Sequence, residues 1–441
     1  MSTTNDIAQL LNIQDKNIFF KENCVKTIKI KGVETTVVEA NLTYTSPDIC
    51  PICGCKNENN AIIKNGSKLS NIKLPKASRL NTILKLHKQR FLCRNCNHTF
   101  SASSSIVNTN CFISNNTKLS IVLDAKKKRS EKDIGLDNNV SHSTVNKIIH
   151  SLYKDFKIIK NHLPKHISFD EFKSVKSVDA SMSFIFINNE NNEIINILED
   201  RRLNQLIRYF MSYSRQARLS VQTVCMDMYS PYISLVKKVF PNAEIITDKF
   251  HIVQLISRSL NKTRINAMKT DKTNYNKLKR YWKLILKSRD DLDDNLFRHY
   301  TCFSKFMREV DIVDYIIDTN QELKETYYLY QDLLYAIKKK KADAFYQAIE
   351  SASNLISDYM KTSIKTLKEY KKYISNSFIY VYTNGAIEGT NNLIKVIKRI
   401  AFGYKSFVQF KIRILLITNT MVKFKLNKVK GNLSAAFWSH S

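Results

Sequence analysis

The chain has 441 residues, with 70 Lys and Arg against 39 Asp and Glu, a formal charge of +31 at pH 7. That length accommodates two or three domains, and an excess of positive charge that repels itself unless neutralised points to a polyanionic partner, nucleic acid before an anionic membrane. No run of ~18 apolar residues occurs and MSTTNDIAQLLNIQ lacks a basic-then-apolar leader, so neither a membrane span nor a secretory signal is expected, and an intracellular protein is.

Residues 1–46 carry amphipathic and strand-like patches (IAQLLNI, VKTIKIKGVETTVVEA) and read as a lead-in. Residues 47–105 form a first module, with strand-like runs AIIKNG and NTILKLHKQRFLC between two cysteine pairs and a Ser-rich linker at its end. Residues 114–153 are helical: RSEKDIG starts one helix, LDNN has turn composition, and Ser141 is the candidate N-cap of the next. Val145, Ile148, Ile149 and Leu152 give that second helix one apolar stripe.

From about Lys165 to 250 the period becomes two. HISFDEF, SMSFIFIN and EIINILE read as strands, followed by helix LNQLIRYFMSYS, strand VQTVCM, helix SPYISLVKKVF and strand AEIIT. A βββαβαβ order implies a mixed five-stranded sheet with helices on its faces. Residues 251–373 are Lys-rich, helical and strandless, an apparent insertion, and 374–441 return with a helix bearing Glu388 and a C-terminal tail.

Nine cysteines in a chain of this kind favour thiolate–metal chemistry over disulfides. Cys50, Cys53, Cys93 and Cys96 form two CxxC knuckles separated by 39 residues, a gap that a β-hairpin would bridge. Four thiolates suit a structural Zn²⁺; the competing reading is a pair of redox motifs or chance. Cys55 and His98 rank second as ligands. In the helical module Ser141, His142, Ser143, Thr144 and Asn146 would face base edges if this is a helix-turn-helix, with Lys126, Lys127, Lys128 and Arg129 on phosphates. An ordinary helical hairpin with a solvated face is the alternative.

Asp170 and Asp227 each stand late in an apolar β-run, and Glu388 opens a helix. Carboxylates so placed in a basic chain suit two Mg²⁺ (or Mn²⁺) ions about 3.5–4 Å apart, acting on phosphodiesters. Lys395 and Arg399 follow Glu388 on one side of its helix, fitting a phosphate backbone nearby; a merely solvated charged face is the alternative. Glu171 would point to the opposite sheet face from Asp170, and Asp179 and Asp200 read as structural.

The blocks HISFDEF, MDMYSPYI, FPNAEIITDKFHIVQL and NGAIEGTNNLIKVIKRIAFGYKSF resemble those of the DDE transposases of the ISL-three insertion-sequence family. The resemblance spans nearly the whole chain. It implies a multidomain α+β protein: an N-terminal zinc ribbon and helix-turn-helix, then an RNase H-like α/β core interrupted by an all-helical insertion. It further implies that Asp170, Asp227 and Glu388 are the successive metal ligands, 57 and 161 residues apart. Asp248 and His251 in TDKFH fit the family pattern, with a helix-start or core role equally open. The implied activity is binding of terminal inverted repeats, followed by metal-dependent strand cleavage and transfer into target DNA. A homodimer or higher assembly, a bacterial cytoplasmic setting on the nucleoid, and no membrane or small-molecule substrate go with it. The rival functions are a DNA-binding regulator that no longer cuts, and a nuclease without strand transfer.

Overall fold

The computed structural model describes residues 3–154, 158–418 and 420. The end of the C-terminal tail, expected to follow the Glu388 helix, lies outside the described residues. Two compact units result: one runs to residue 157 and takes up the chain again from 394, and the other comprises 158–393.

In the first unit a short helix, α1 (Thr3–Leu10), precedes the strands β1 (Ile18–Ile30), β2 (Val33–Leu42), β3 (Ile62–Ala77), β4 (Leu80–Cys93) and β5 (Thr99–Ser101). They form one sheet in the order β1-β2-β4-β3, with β5 added to the end of β4. The segment read as a lead-in thus supplies two strands of the sheet: Thr35–Leu42 pairs in parallel with Asn81–Lys88. Alternation of apolar residues buries Val38, Ala40 and Leu42 against Ile72, Leu74, Leu84 and Leu86. The Ser-rich stretch is tied down rather than loose. Ser104 donates to Asp15 Oδ2 at 2.6 Å, and the following Ile106 and Val107 enter the same core.

Three helices follow: α2 (Asn115–Ala125), α3 (Glu131–Asp137) and α4 (His142–Lys154). Ser114, Ser130 and Ser141 cap them, each hydroxyl accepting from the backbone N–H three residues on, at 3.1, 3.1 and 3.2 Å. Ile121, Ile134, Val145 and Ile149 are buried.

The second unit contains β6 (His166–Lys173), β7 (Met182–Asn188), β8 (Ile194–Leu198), β9 (Thr223–Met226) and β10 (Glu244–Thr247), with α5 (Leu203–Met211), α6 (Arg215–Leu219) and α7 (Ser230–Val239) between them. The strand order is β10-β9-β6-β7-β8. β6, β7 and β8 are antiparallel neighbours, while β9 and β10 run parallel to β6. Phe169, Phe184, Phe186, Phe210 and Phe240 cluster on the face covered by α5 and α7. This is the mixed sheet of an RNase H-like core.

A helical region then intervenes, opened by α8 (Lys249–Thr270). It continues as α9 (Tyr275–Arg280), α10 (Trp282–Ile285), α11 (Glu309–Ile317), α12 (Gln321–Lys338), α13 (Ala342–Glu350), α14 (Asp358–Glu369) and α15 (Lys371–Ile379) around its own apolar cluster. It is not wholly strandless: Arg298–His299 and Phe306–Met307 form a two-residue antiparallel ladder, too short to show as a period in sequence. The last described helices are α16 (Gly385–Ile400), carrying Glu388, and α17 (Phe407–Ile417). α17 is largely buried and packs on α2 and α4, where Arg413 donates to the carbonyls of Lys127 and Arg129.

Candidate active site and metal centre

Register decides which acids meet. On the parallel pair β6–β9, Ser168 lies opposite Cys225, and two residues further along each chain stand Asp170 and Asp227. A period of two puts both carboxylates on one face, with strands about 4.8 Å apart. On the parallel pair β9–β10, Met226 lies opposite Thr247, so the next residues, Asp227 and Asp248, are also neighbours. Three acids therefore line the carboxyl ends of three adjacent parallel strands. Ligands of open α/β sheets gather at such ends because the loops there diverge. Glu171 faces the other side of the sheet, accepting from Tyr232 Oη at 3.0 Å and pairing with Arg201.

The Glu388 helix is fastened to this row by two asparagines. Asn391 Nδ2 donates to Asp170 Oδ2 at 2.6 Å. Asn384, at the start of the helix, donates its backbone N–H to Asp248 Oδ1 and its side-chain amide to the Phe169 carbonyl, both at 3.2 Å. Asp248 holds the position that caps α8 but makes no side-chain cap bond there; its carboxylate serves Asn384 instead. His251, one turn into α8, brings Nε2 to 2.7 Å from Asp227 Oδ1. That close charged contact is the partner of an otherwise unsatisfied buried oxygen.

Electrostatics agree that the row is short of positive charge. Burial, reinforced by the Asp227 carboxylate, pushes the Asp170 carboxyl up to about 7 against the pull of the Glu171 backbone amide. Burial likewise raises Asp248, with Asp227 and Glu388 adding to it. For His251 burial opposes the charged ring, yet Asp227, Asp248 and Asp170 together raise its pKa. Hard carboxylate oxygens, that of Asp227 met by a histidine and that of Asp170 about half protonated near neutrality, are a donor set that fits Mg²⁺ or Mn²⁺. Glu388 is exposed in the first turn of α16, one turn before Asn391. It is not drawn into tight contact with the two aspartates: among the described residues, the four cysteines alone bring three or more ligating atoms within 4.8 Å of one another.

Those cysteines are Cys50, Cys53, Cys93 and Cys96. Tetrahedral Zn–S bonds of about 2.3 Å would separate sulfurs by about 3.8 Å. Cys50 and Cys96 lie 3.9 Å apart and Cys53 and Cys93 3.8 Å apart, so the cage has the dimensions of a zinc site. Backbone amides favour two of the thiolates, the Cys55 amide pulling Cys53 down to about 6 and the Cys96 amide lowering Cys93. At Cys96 the pull of the His98 amide is overcome by burial and the neighbouring thiols, which hold it up. Cys55 stands outside the set, though its sulfur is 3.4 Å from that of Cys93. His98 instead contacts the Cys96 carbonyl at 2.8 Å.

In the helical module Ser141, His142 and Ser143 are exposed at the start of α4, as base readers would be. Asn146 is engaged within the unit, donating to Glu131 at 3.2 Å and accepting from Gln409 at 3.2 Å. Of the basic run, Lys127 pairs with Asp124 at 3.0 Å and Arg129 with Asp137 and Asp124. Lys128 is exposed. Lys395 and Arg399 lie at exposed positions of α16. Sequence reading did not single out Asn384, Asn391 or Gly135. A Cβ on Gly135 would stand 2.7 Å from the Val140 carbonyl, which explains a glycine inside α3.

The comparisons with known proteins follow the same lines. Residues 167–414, more than half the chain, match the transposase family of ISL3-type DDE enzymes, and residues 46–96 match the zinc finger of transposases IS204, IS1001, IS1096 and IS1165. The chain is 26% identical over 214 residues to the transposase for insertion sequence element IS1001 of Bordetella parapertussis, covering 47% of this chain and 50% of that one. It is 37% identical over 110 residues to a Lactococcus lactis subsp. lactis protein named an ATP-dependent protease, covering 25% of this chain and 35% of that one. The chain thus spans half or less of these relatives. No GxxxxGK[ST] nucleotide loop occurs in its sequence. No helix among the described residues is long and apolar enough to cross a membrane. By the extent of the family match, the chain belongs to the ISL3 family of DDE transposases.

Proposed function

We propose that the protein is the DNA transposase of an insertion sequence, binding its terminal inverted repeats and catalysing strand cleavage and strand transfer. The observation that supports this reading best is the β6–β9 register, which ends two residues short of both Asp170 and Asp227, while Asn391 ties the Glu388 helix to Asp170. Asp170, Asp227 and Glu388 would hold two Mg²⁺ or Mn²⁺ ions. When bound, such ions lower the pKa of attacking water or 3′-hydroxyl and stabilise the leaving oxygen.

The chain's own residues do the rest. Asn391 and Asn384 fix the helix that carries Glu388, and His251 steadies the Asp227 carboxylate. Zinc on Cys50, Cys53, Cys93 and Cys96 would hold the 47–105 module in shape for DNA. The 114–153 module would read sequence as a helix-turn-helix through Ser141, His142, Ser143 and Thr144, with Asn146 buttressing the reading helix. Lys126, Lys127, Lys128, Arg129, Lys395 and Arg399 would meet phosphates. The catalytic core would comprise 165–250 together with the return of the chain that carries Glu388, and the insertion 251–373 would hold DNA or a second protomer, since two ends must meet. We propose with it a homo-oligomer in a bacterial cytoplasmic, nucleoid-bound setting.

The test is Mg²⁺-dependent nicking and joining of labelled DNA carrying the element's ends, wild type beside Asp227→Asn. Nicking and joining that vanish in the variant are expected. Tight end binding without cutting in Mg²⁺ or Mn²⁺ would favour a regulator, and cutting without joining a nuclease.

A further inference from the structure

A cleft of about 280 Å³ opens beside Asp227. Its floor is a braced network in which Glu171 is held by Tyr232 and Arg201. Tyr229 stands edge-on to Tyr232, ring centroids 4.9 Å apart, with the Arg201 guanidinium 5.6 Å from its own centroid. The Tyr229 side of the cleft is nevertheless open, since the residue keeps 40% of its surface exposed. The facing wall is one stripe of α8, where His251, Gln254, Leu255 and Arg258 recur at i, i+3, i+4 and i+7. Arg258 sits about 10 Å along the helix from His251. It is exposed and forms no ion pair among the described residues.

Each part has a use in binding a nucleotide. An aromatic face half-open to solvent takes a base by stacking, a free guanidinium takes a phosphate, and Gln254 between them offers both donor and acceptor to a base edge. Stacking on a side chain requires the face of the base, which a duplex conceals between neighbouring pairs; only an unpaired or extruded nucleotide presents it. The braced floor means that the ring and Arg201 are already in place before DNA arrives.

We propose that this cleft is a subsite for one unpaired nucleotide of the strand bound beside Asp227, its base on Tyr229 and its phosphate on Arg258. The assignment rests on the transposase reading for the identity of that strand. It adds that the strand is opened next to the reacting phosphate.

The probe is a short oligothymidylate with one central 5-iodouracil, bound to the full chain, irradiated, and mapped by mass spectrometry of peptides. Labelling is expected at Tyr229, retained in Tyr229→Phe. Arg258→Ala should lower the yield roughly tenfold, the worth of one charge-assisted contact, with partial recovery in Arg258→Lys. The same label paired within a duplex should leave Tyr229 unmarked. Labelling confined to other residues, or equal labelling from the duplex, would overturn the subsite. A protein that nicks and joins its ends with Tyr229 unlabelled loses the subsite and keeps the transposase reading. Labelling of Tyr229 in a protein that never cuts does the reverse.

Discussion

Asn391→Ala is the sharpest perturbation of the candidate site, because it leaves every acid in place and removes only their link. The amide donates to Asp170 Oδ2 at 2.6 Å, a charge-assisted bond whenever Asp170 is ionised, and more weakly to the Glu171 carbonyl at 3.4 Å. Hydrogen bonds to charged groups contribute about 1.5–3 kcal/mol. If that positioning is realised in the transition state, its loss slows the chemical step roughly 10- to 150-fold at about 1.36 kcal/mol per decade. The assay is single-turnover nicking of pre-bound end DNA across a Mg²⁺ titration, beside gel-shift affinity for the same DNA. The rate should fall and the Mg²⁺ midpoint rise, with end affinity unchanged. Asn391→Asp should be worse still, since it sets a second carboxylate against Asp170. A rate within about threefold of wild type at saturating Mg²⁺ would refute the positioning role, as the bond would then be too weak to matter.

Other tests address separate parts of the chain. Cys50→Ser or Cys93→Ser should lose one zinc per chain and unfold the module around it, whereas Cys55→Ser should retain zinc; metal content by mass spectrometry decides. Gly135→Ala should destabilise the helical module by about 1–3 kcal/mol, because the Val140 carbonyl occupies the space a Cβ needs; thermal melts and loss of end binding with zinc retained would show it. Asp248→Ala should free Asn384 and reduce nicking while sparing end affinity, and unchanged nicking would count against that tether. The Asp170 carboxyl rises on folding from 3.8 to about 7, so its contribution favours the fold at low pH and is lost as pH passes through about 7. In chelator, wild type should therefore lose roughly 4 kcal/mol of stability relative to Asp170→Asn between about pH 4 and 8, and denaturant melts of equal slope with pH would refute it.

Much of this site was legible as pattern, and the unread part is packing. Alternation in HISFDEF and VQTVCM placed Asp170 and Asp227 late in strands, and the strand order implied a mixed sheet. Alternation cannot give register, however, and it is register that sets Asp170, Asp227 and Asp248 in one row. Asp248 was ambiguous because an Asp before a helix is first of all a cap; only its bond to Asn384 shows another use. Asn391 and Asn392 are adjacent amides in one helix, and choosing between them needs the rotation of that helix against β6. The cysteines were easier, since spacing alone limits which thiols can share an ion. The lead-in was misjudged for the opposite reason: β2 pairs with β4 across more than 40 residues of chain, and local composition carries no trace of such a partner.

The same packing bears on how a third acid could join the first two. Glu388 is exposed, so no burial energy opposes a change of its rotamer, while the backbone beneath it is held at both ends of about two helical turns by Asn384 and Asn391. Asp170 and Asp248 are the reverse: half-buried and buried respectively, raised in pKa, and each held by an asparagine of the Glu388 segment. Two rigid carboxylates short of positive charge and one free carboxylate on a clamped helix make an asymmetric set. A cation bound beside Asp170 and Asp227 would relieve the raised carboxyls, and an exposed Glu388 could turn toward it without any rearrangement of the fold. A chain with a net charge of +31 supplies the rest, since its field concentrates the phosphate backbone on which such ions would act.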